Sequence, residues 1–158
     1  MILHTIEPVW NENSKVLILG SFPSVKSREE GFFYGHKQNR FWKVTASVCD
    51  CSVPENIQDK KEMLLSNGIA VWDVIHSCDI VGSSDSSIKN VVPNDIGIII
   101  ENSKVERIFT NGKKADELYK KYIEQSVGIK AVCLPSTSPA NAAWTFEKLC
   151  AEWQQIKE

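Results

Sequence analysis

Val16-Leu17-Ile18-Leu19-Gly20-Ser21-Phe22-Pro23-Ser24 is where an unbroken apolar run stops on a glycine and a loop begins. The run is short, β-rich and has no polar alternation, which predicts a strand buried on both faces. The stretch resumes as Gly35-His36-Lys37-Gln38-Asn39-Arg40-Phe41-Trp42, which leads into an amphipathic segment. Between them lies a loop dense in glycine, aromatic and basic residues, the composition of a working loop on a rigid scaffold.

Working outward, residues 39–48 carry Phe41, Trp42, Val44 and Val48 at three- and four-residue spacings, predicting a helix packed on the sheet. A second helix is expected over residues 56–66, with Asn67-Gly68 as its stop. Residues 69–75 read as a second apolar strand, interrupted by Asp73 near its end. Residues 82–87 form a serine-rich loop, and Asn94 is expected to cap a short helix through Glu101. A third strand covers residues 105–110 and ends at Asn111-Gly112. A helix over residues 113–125 follows, with Ala115, Leu118, Tyr119 and Tyr122 on one side. A fourth strand covers residues 129–134, followed by the Pro135-Ser136-Thr137-Ser138-Pro139 loop. A last helix over residues 141–157 has Ala142, Phe146, Leu149, Trp153 and Ile156 as its apolar stripe. Strands alternating with helices predict an α/β fold, a parallel sheet covered on both faces, in a single domain over residues 1–158. Ligands of such sheets bind outside the carboxyl ends of the strands. Residues 20–24, 72–75, 110–112 and 134–139 should therefore converge.

The net charge of −2 excludes a globally basic nucleic-acid protein but not a local basic patch. No apolar run reaches the ~20 residues of a membrane helix. The start, with Glu7 and Pro8, does not read as a signal peptide, so a cytoplasmic protein is expected. Cys49, Cys51, Cys78, Cys133 and Cys150 contain no CxxC pair, and His4, His36 and His76 have no metal spacing. The cysteines read as free thiols of a reducing compartment rather than as metal ligands. Walker, dinucleotide and GxSxG signatures are missing, which disfavours NTPases, dehydrogenases and ordinary hydrolases.

The loops carry several groups with two readings each. Asp73, at the mouth of a buried strand, can accept a hydrogen bond from a ligand, act as a general base or cap the next turn. Asn39 can orient a water or bind a polar edge, or simply cap a helix. Phe22 can stack on a flat ligand or fill the core. Gly20 and Gly112 can admit a ligand to the backbone or serve turn geometry alone. Lys26, Arg28, His36, Lys37, Arg40 and Lys43 stand among Phe32, Phe33, Tyr34, Phe41 and Trp42. That mixture suits phosphate contacts and base stacking, or an ordinary solvated surface.

Six motifs in order, Gly20-Ser21-Phe22-Pro23-Ser24, Gly35-His36-Lys37-Gln38-Asn39-Arg40-Phe41-Trp42, Val71-Trp72-Asp73-Val74, Gly82-Ser83-Ser84-Asp85-Ser86-Ser87-Ile88, Thr110-Asn111-Gly112-Lys113-Lys114-Ala115 and Leu134-Pro135-Ser136-Thr137-Ser138-Pro139-Ala140-Asn141, resemble the hypoxanthine-DNA glycosylase family, a branch of the uracil-DNA glycosylase superfamily. The resemblance spans nearly the whole chain. It implies a three-layer α/β/α fold around a central four-stranded parallel sheet. It also implies a monomeric, monofunctional glycosylase, working without metal or cofactor, that removes a deaminated base from double-stranded DNA, foremost hypoxanthine. Uracil- or xanthine-directed excision, and a non-catalytic nucleic-acid or nucleotide-binding module, are the competing readings.

The resemblance also implies roles for individual residues. Phe22 stands where better-known branches carry a water-orienting Asp or Asn, and that role passes to Asn39, expected to hold water through its amide oxygen. Leu134 stands where the uracil branch has a histidine. Base contacts are assigned to Phe22, Asp73, Trp72 and Ser21. Asp73 accepts but does not donate, which suits the N1–H of hypoxanthine. DNA contacts are assigned to Ser24, Arg40, Lys113, Ser136, Ser138 and Asn141. With no carboxylate expected beside the water, turnover should be modest.

Overall fold

The computed structural model describes residues 1–158. In chain order its strands are β1 (Ile2–Leu3), β2 (Val16–Gly20), β3 (Ile69–Asp73), β4 (Ile75–Asp79), β5 (Lys89–Pro93), β6 (Arg107–Asn111) and β7 (Ala131–Leu134). Its α-helices are α1 (Val25–Glu30), α2 (Phe41–Val48), α3 (Ile57–Ser66), α4 (Gly97–Asn102), α5 (Lys113–Tyr122), α6 (Glu124–Val127) and α7 (Phe146–Trp153).

The four expected strands form one parallel sheet in the order β3-β2-β6-β7. Side chains alternate along β2 and build two cores. Val16 and Ile18 join Phe41, Val44, Leu64 and Trp153 from α2, α3 and α7. Leu17 and Leu19 join Ile99, Leu118 and Tyr119 from α4 and α5. Leu17, Ile18 and Leu19 are fully buried, as a strand covered on both sides must be. The result is the three-layer α/β/α arrangement. The chain passes from β2 to β3 on one side and returns to β6 on the other. The switch point of the sheet therefore lies between the carboxyl ends of β2 and β6.

The structure departs from the sequence reading in several places. The apolar run over residues 69–75 is broken at Val74: β3 ends at Asp73, and β4 belongs to a second, antiparallel sheet in the order β1-β4-β5. The first loop contains a helix, α1, begun by Ser24, whose Oγ accepts the Ser27 N–H at 3.1 Å. Asn94 caps nothing. It is buried, and its Nδ2 donates to the carbonyls of Asp73 (2.9 Å) and Ile75 (3.1 Å), holding the break between β3 and β4. The fifth helix ends at Tyr122 and is followed by the separate turn α6. The last helix starts at Phe146 because Thr145 caps it, so Ala142 and Phe146 stay exposed while Leu149, Trp153 and Ile156 are buried. All five cysteines are free. No helix is long and apolar enough to cross a membrane.

Candidate active site

A cleft of about 340 Å³ opens at the carboxyl ends of the parallel strands. Each of the four expected regions lines it, through residues 20–24, Asp73, Asn111 and residues 136–139. Tyr34 and His36, from the turn before α2, and Ser83 and Asp85, from the serine-rich loop, complete the wall.

The floor is built around Asp73. It is 3% exposed, and its Oδ2 accepts from His4 Nε2 at 2.8 Å, a pair buried on both sides. The His4 backbone N–H in turn donates to His76 O at 2.7 Å, so the short β1 region brings the imidazole under the sheet end. Gly20 keeps this floor open. A Cβ there would lie 2.4 Å from Asp73 Oδ1 and 3.0 Å from Tyr34 Oη. Its glycine serves the close approach of side chains rather than a turn. At Gly112 the turn itself is at stake, with φ at +98°, and an added Cβ would press on Ser136 at 3.1 Å. Phe22 fulfils both readings: it is 9% exposed, packs in the core layer of Leu17 and Leu19, and lines the cleft. His4 meets it edge-on at 6.0 Å, and the Arg28 guanidinium stands 5.6 Å from its ring centre.

The far wall is a closed hydrogen-bond chain. Asn111 Nδ2 donates to Thr137 Oγ1 (3.0 Å), whose hydroxyl donates to Asn39 Oδ1 (2.8 Å). Asn39 Oδ1 also accepts the Phe41 N–H at 2.9 Å, and Asn111 Oδ1 accepts the Thr137 N–H at 3.0 Å. The Phe41 N–H can only donate, which fixes the orientation of the Asn39 amide. Both lone pairs of the Asn39 oxygen are thus engaged. The expected hold on the attacking water through this oxygen therefore competes with two existing hydrogen bonds, and the NH2 group is the part of the Asn39 amide left without one. Asn39 opens α2 as well, so the capping reading also has a basis here.

At the rim, Ser21 donates to Asp85 Oδ1 at 3.1 Å. The loop bearing Asp85 is tied down by Val25 N–H to Ser83 Oγ (2.9 Å) and Arg28 to Gly82 O (2.6 Å). Asp85 keeps an exposed edge while the cleft wall crowds its carboxyl. That crowding, with the Asp73 charge, raises its pKa against the lowering effects of Ser21 and Lys114. A second carboxylate besides Asp73 therefore lines the cleft, where the sequence led to the expectation of none beside the water.

Of the residues assigned from the sequence, Phe22, Asp73, Ser21, Asn39, Ser24, Ser136 and Ser138 line one cleft. Trp72 does not: adjacent strand residues face opposite ways, and its side chain packs against both core layers. Arg40 is spent on structure, donating to the carbonyls of Trp144, Ser138 (3.2 Å) and Asn141 (3.1 Å). Asn141 likewise braces the last loop through Nδ2 to Ser136 O at 3.0 Å. Lys113 is exposed and lies outside the cleft, whereas Lys114 bears on Asp85. Ser24 carries the cap of α1. Ser136 and Ser138 accept from backbone N–H groups within their loop, so their hydroxyl protons remain available to a ligand. Sequence reading missed His4 and Asp85 as parts of the site, and named Tyr34 only as one of several aromatics near the first loop. Only Asp85 stood in a quoted motif that was given no role.

Comparison with known proteins agrees with this architecture. The model of the uracil DNA glycosylase superfamily matches residues 7–157. A protein of Methanosarcina acetivorans named hypoxanthine DNA glycosylase is 33% identical over 162 residues, covering 99% of this chain and 98% of its own. A protein of the same name from Methanosarcina barkeri is 33% identical over 136 residues, covering 85% of each chain. The solution NMR structure of a Methanosarcina acetivorans protein, described as a uracil DNA glycosylase candidate, superposes with a TM-score of 0.82 at 30% identity over 100% of both chains. Switch-point cleft, motif order and full-length similarity coincide, and the chain belongs to the uracil DNA glycosylase superfamily.

Proposed function

We propose that this protein is a monofunctional DNA glycosylase that hydrolyses the N-glycosidic bond of hypoxanthine in double-stranded DNA and leaves an abasic site. The observation that carries the substrate is the Asp73 carboxylate, buried at the end of β3 and fixed by His4, with Oδ1 turned to the cleft floor beside Phe22. Such a group accepts from a base edge and cannot donate, so it favours a ring N–H, as deamination of adenine creates at N1.

A stacked base shields its sugar carbon, so the nucleotide has to swing out of the duplex. The swing costs a few kcal/mol and is cheapest for a mispaired base. Ser136 and Ser138 donate to the phosphates, and the extruded base stacks on Phe22. Departure of the base builds positive charge on the sugar and negative charge on the base. Water then bonds to the sugar carbon while the glycosidic electron pair leaves with the base. Asp73 is committed to the base and the Asn39 oxygen to its loop. Asp85 is the acceptor left in the cleft to align that water and take its proton, and the Asn39 NH2 group donates to the water oxygen. The leaving base recovers a proton from solvent.

Duplexes carrying inosine, uracil or xanthine, incubated with the protein and then cleaved by alkali at abasic sites, test the reading. Strand scission at inosine is expected to be fastest. Faster scission at uracil or xanthine would reassign the base, and binding without scission would leave a nucleic-acid-binding module. In the same assay Asn39→Ala is expected to lose roughly 100-fold in single-turnover excision while keeping duplex affinity, because it removes both the amide and the tie to Thr137. Asn39→Asp keeps the acceptor for Thr137 and Phe41 and separates the two contributions.

A further inference from the structure

The Tyr34 hydroxyl is a buried polar group that completes no hydrogen bond within the protein, although the Asn111 side chain bears on it from the far wall. Native structures leave few such groups, and each one asks what completes it. Ring packing does not explain it: the Tyr34 ring stacks on Phe41 at 4.0 Å and 15°, which phenylalanine would do as well. Nor does the backbone favour tyrosine, since φ is +52°, a region that bulky residues seldom occupy. The direction of the hydroxyl is informative. The point where a Gly20 Cβ would stand is 3.0 Å from Tyr34 Oη and 2.4 Å from Asp73 Oδ1. One potential donor and one acceptor thus converge on the same spot of the cleft floor without being bonded to each other. The other Asp73 oxygen is occupied by His4. Burial first, and then the Asp73 charge, push the Tyr34 pKa far above the usual tyrosine range against the lowering effect of the Asn111 side chain, so Oη remains an O–H donor.

We propose that Tyr34 is a base-reading residue: with Asp73 it recognises the lactam edge of the extruded base, Oη–H donating to the exocyclic oxygen while Asp73 Oδ1 accepts the adjacent ring N–H. The inference rests on the glycosylase reading above and sharpens its substrate class. Adenine presents an acceptor at N1 and a donor at the exocyclic amine. Deamination reverses both, giving N1–H and O6. The floor matches the reversed pattern and opposes the original one, acceptor to acceptor and donor to donor. Sites built to hydrogen-bond a substrate group reject analogues lacking it by about 10⁴–10⁵-fold, because their own buried groups are left unpaired. Uracil, xanthine and guanine carry the same edge. The pair therefore selects lactams against amidines, and rejection of guanine falls to other groups.

Tyr34→Phe removes one oxygen and leaves the ring. Single-turnover excision of inosine is expected to fall about tenfold to a hundredfold, while the thermal midpoint stays the same or rises, because an unpaired buried hydroxyl has been removed. Affinity for an abasic duplex, which has no base edge to read, is expected to be unchanged. An unaltered excision rate overturns the proposal, and so does a loss of rate accompanied by a fall in midpoint, which marks the hydroxyl as structural. A wild-type protein that leaves every lactam-bearing duplex intact overturns the glycosylase reading itself. An active wild type with an equally active variant overturns the inference alone.

Discussion

The two walls of the cleft are made of similar residue types and used in opposite ways. On the wall of the last loop, Asn39, Thr137 and Asn111 satisfy one another, and Arg40 and Asn141 spend their donors on backbone carbonyls. On the floor and rim, Tyr34 Oη has no partner, Asp73 is held by one oxygen only, and Asp85 has one hydrogen bond, from Ser21. The Asn39 and Asn111 oxygens and the Thr137 hydroxyl pair with one another or with backbone, which makes the first wall a frame and leaves it only donors for a ligand, the Asn39 NH2 group and the Ser136 and Ser138 hydroxyls, because pairing is what makes buried polar groups tolerable. The floor and rim keep acceptors and a buried donor left over, and there a substrate completes the pattern. Residues that looked most chemical in the sequence, above all Arg40 and the Asn39 oxygen, belong to the first wall.

The largest effect that would break this contrast lies at Asp85. Asp85→Asn keeps an acceptor for Ser21 and removes the charge. Excision is expected to drop by about 10²–10⁴-fold, the range in which positioned acids and bases contribute. The pH dependence carries a sign. Crowding raises the Asp85 pKa, so the wild-type rate should rise with pH through a value above that of an ordinary aspartate, ~3.9, as the carboxylate ionises. In Asp85→Asn that acid limb should vanish. A variant with a wild-type rate and profile would place Asp85 with the architectural residues instead.

The next effect tests the opposite assignment. Arg40→Ala leaves three carbonyls of the last loop without their donor, and a loss of about 3 kcal/mol is expected. For a chain of this size that lowers the thermal midpoint by roughly 6–12 °C. If Arg40 touched phosphate, the salt dependence of duplex binding would weaken by about one unit of slope. The structure predicts a lower midpoint and an unchanged slope.

What could be read in the sequence follows the range of the forces involved. Val16–Gly20 declared itself, because a strand between two helical layers has to be apolar throughout. The convergence of the four loops followed from parallel topology. The sheet of β1, β4 and β5 did not declare itself. β1 has two residues, β4 contains His76 and Asp79, and the β4–β5 register is irregular, so its pairing is set by tertiary contact and not by pattern. Phe22, Asp73 and the loop serines were legible because position in a parallel sheet places them. His4 was not, since its partner is 69 residues away. Arg40 and Asn141 were read as phosphate contacts and here bond loop carbonyls, because a guanidinium or an amide satisfies a carbonyl as well as a phosphate and residue type cannot choose between them.

Trp72 gives the smallest effect and the finest control. Like Tyr34, it buries a donor without a partner, the indole Nε1. Unlike Tyr34, it lies outside the cleft, between the two core layers. Trp72→Phe removes the orphaned N–H, worth about 1–3 kcal/mol, and opens a void that costs ~24 cal/mol per Å³. These oppose each other, so the thermal midpoint should move little, and the excision rate should stay within about twofold. Two unpaired donors are then deleted by the same chemistry, and only the one aimed at the cleft should slow excision. If Trp72→Phe slows excision as much as Tyr34→Phe does, an unpaired donor in this fold reports strain, and the contrast between the walls loses its meaning for catalysis.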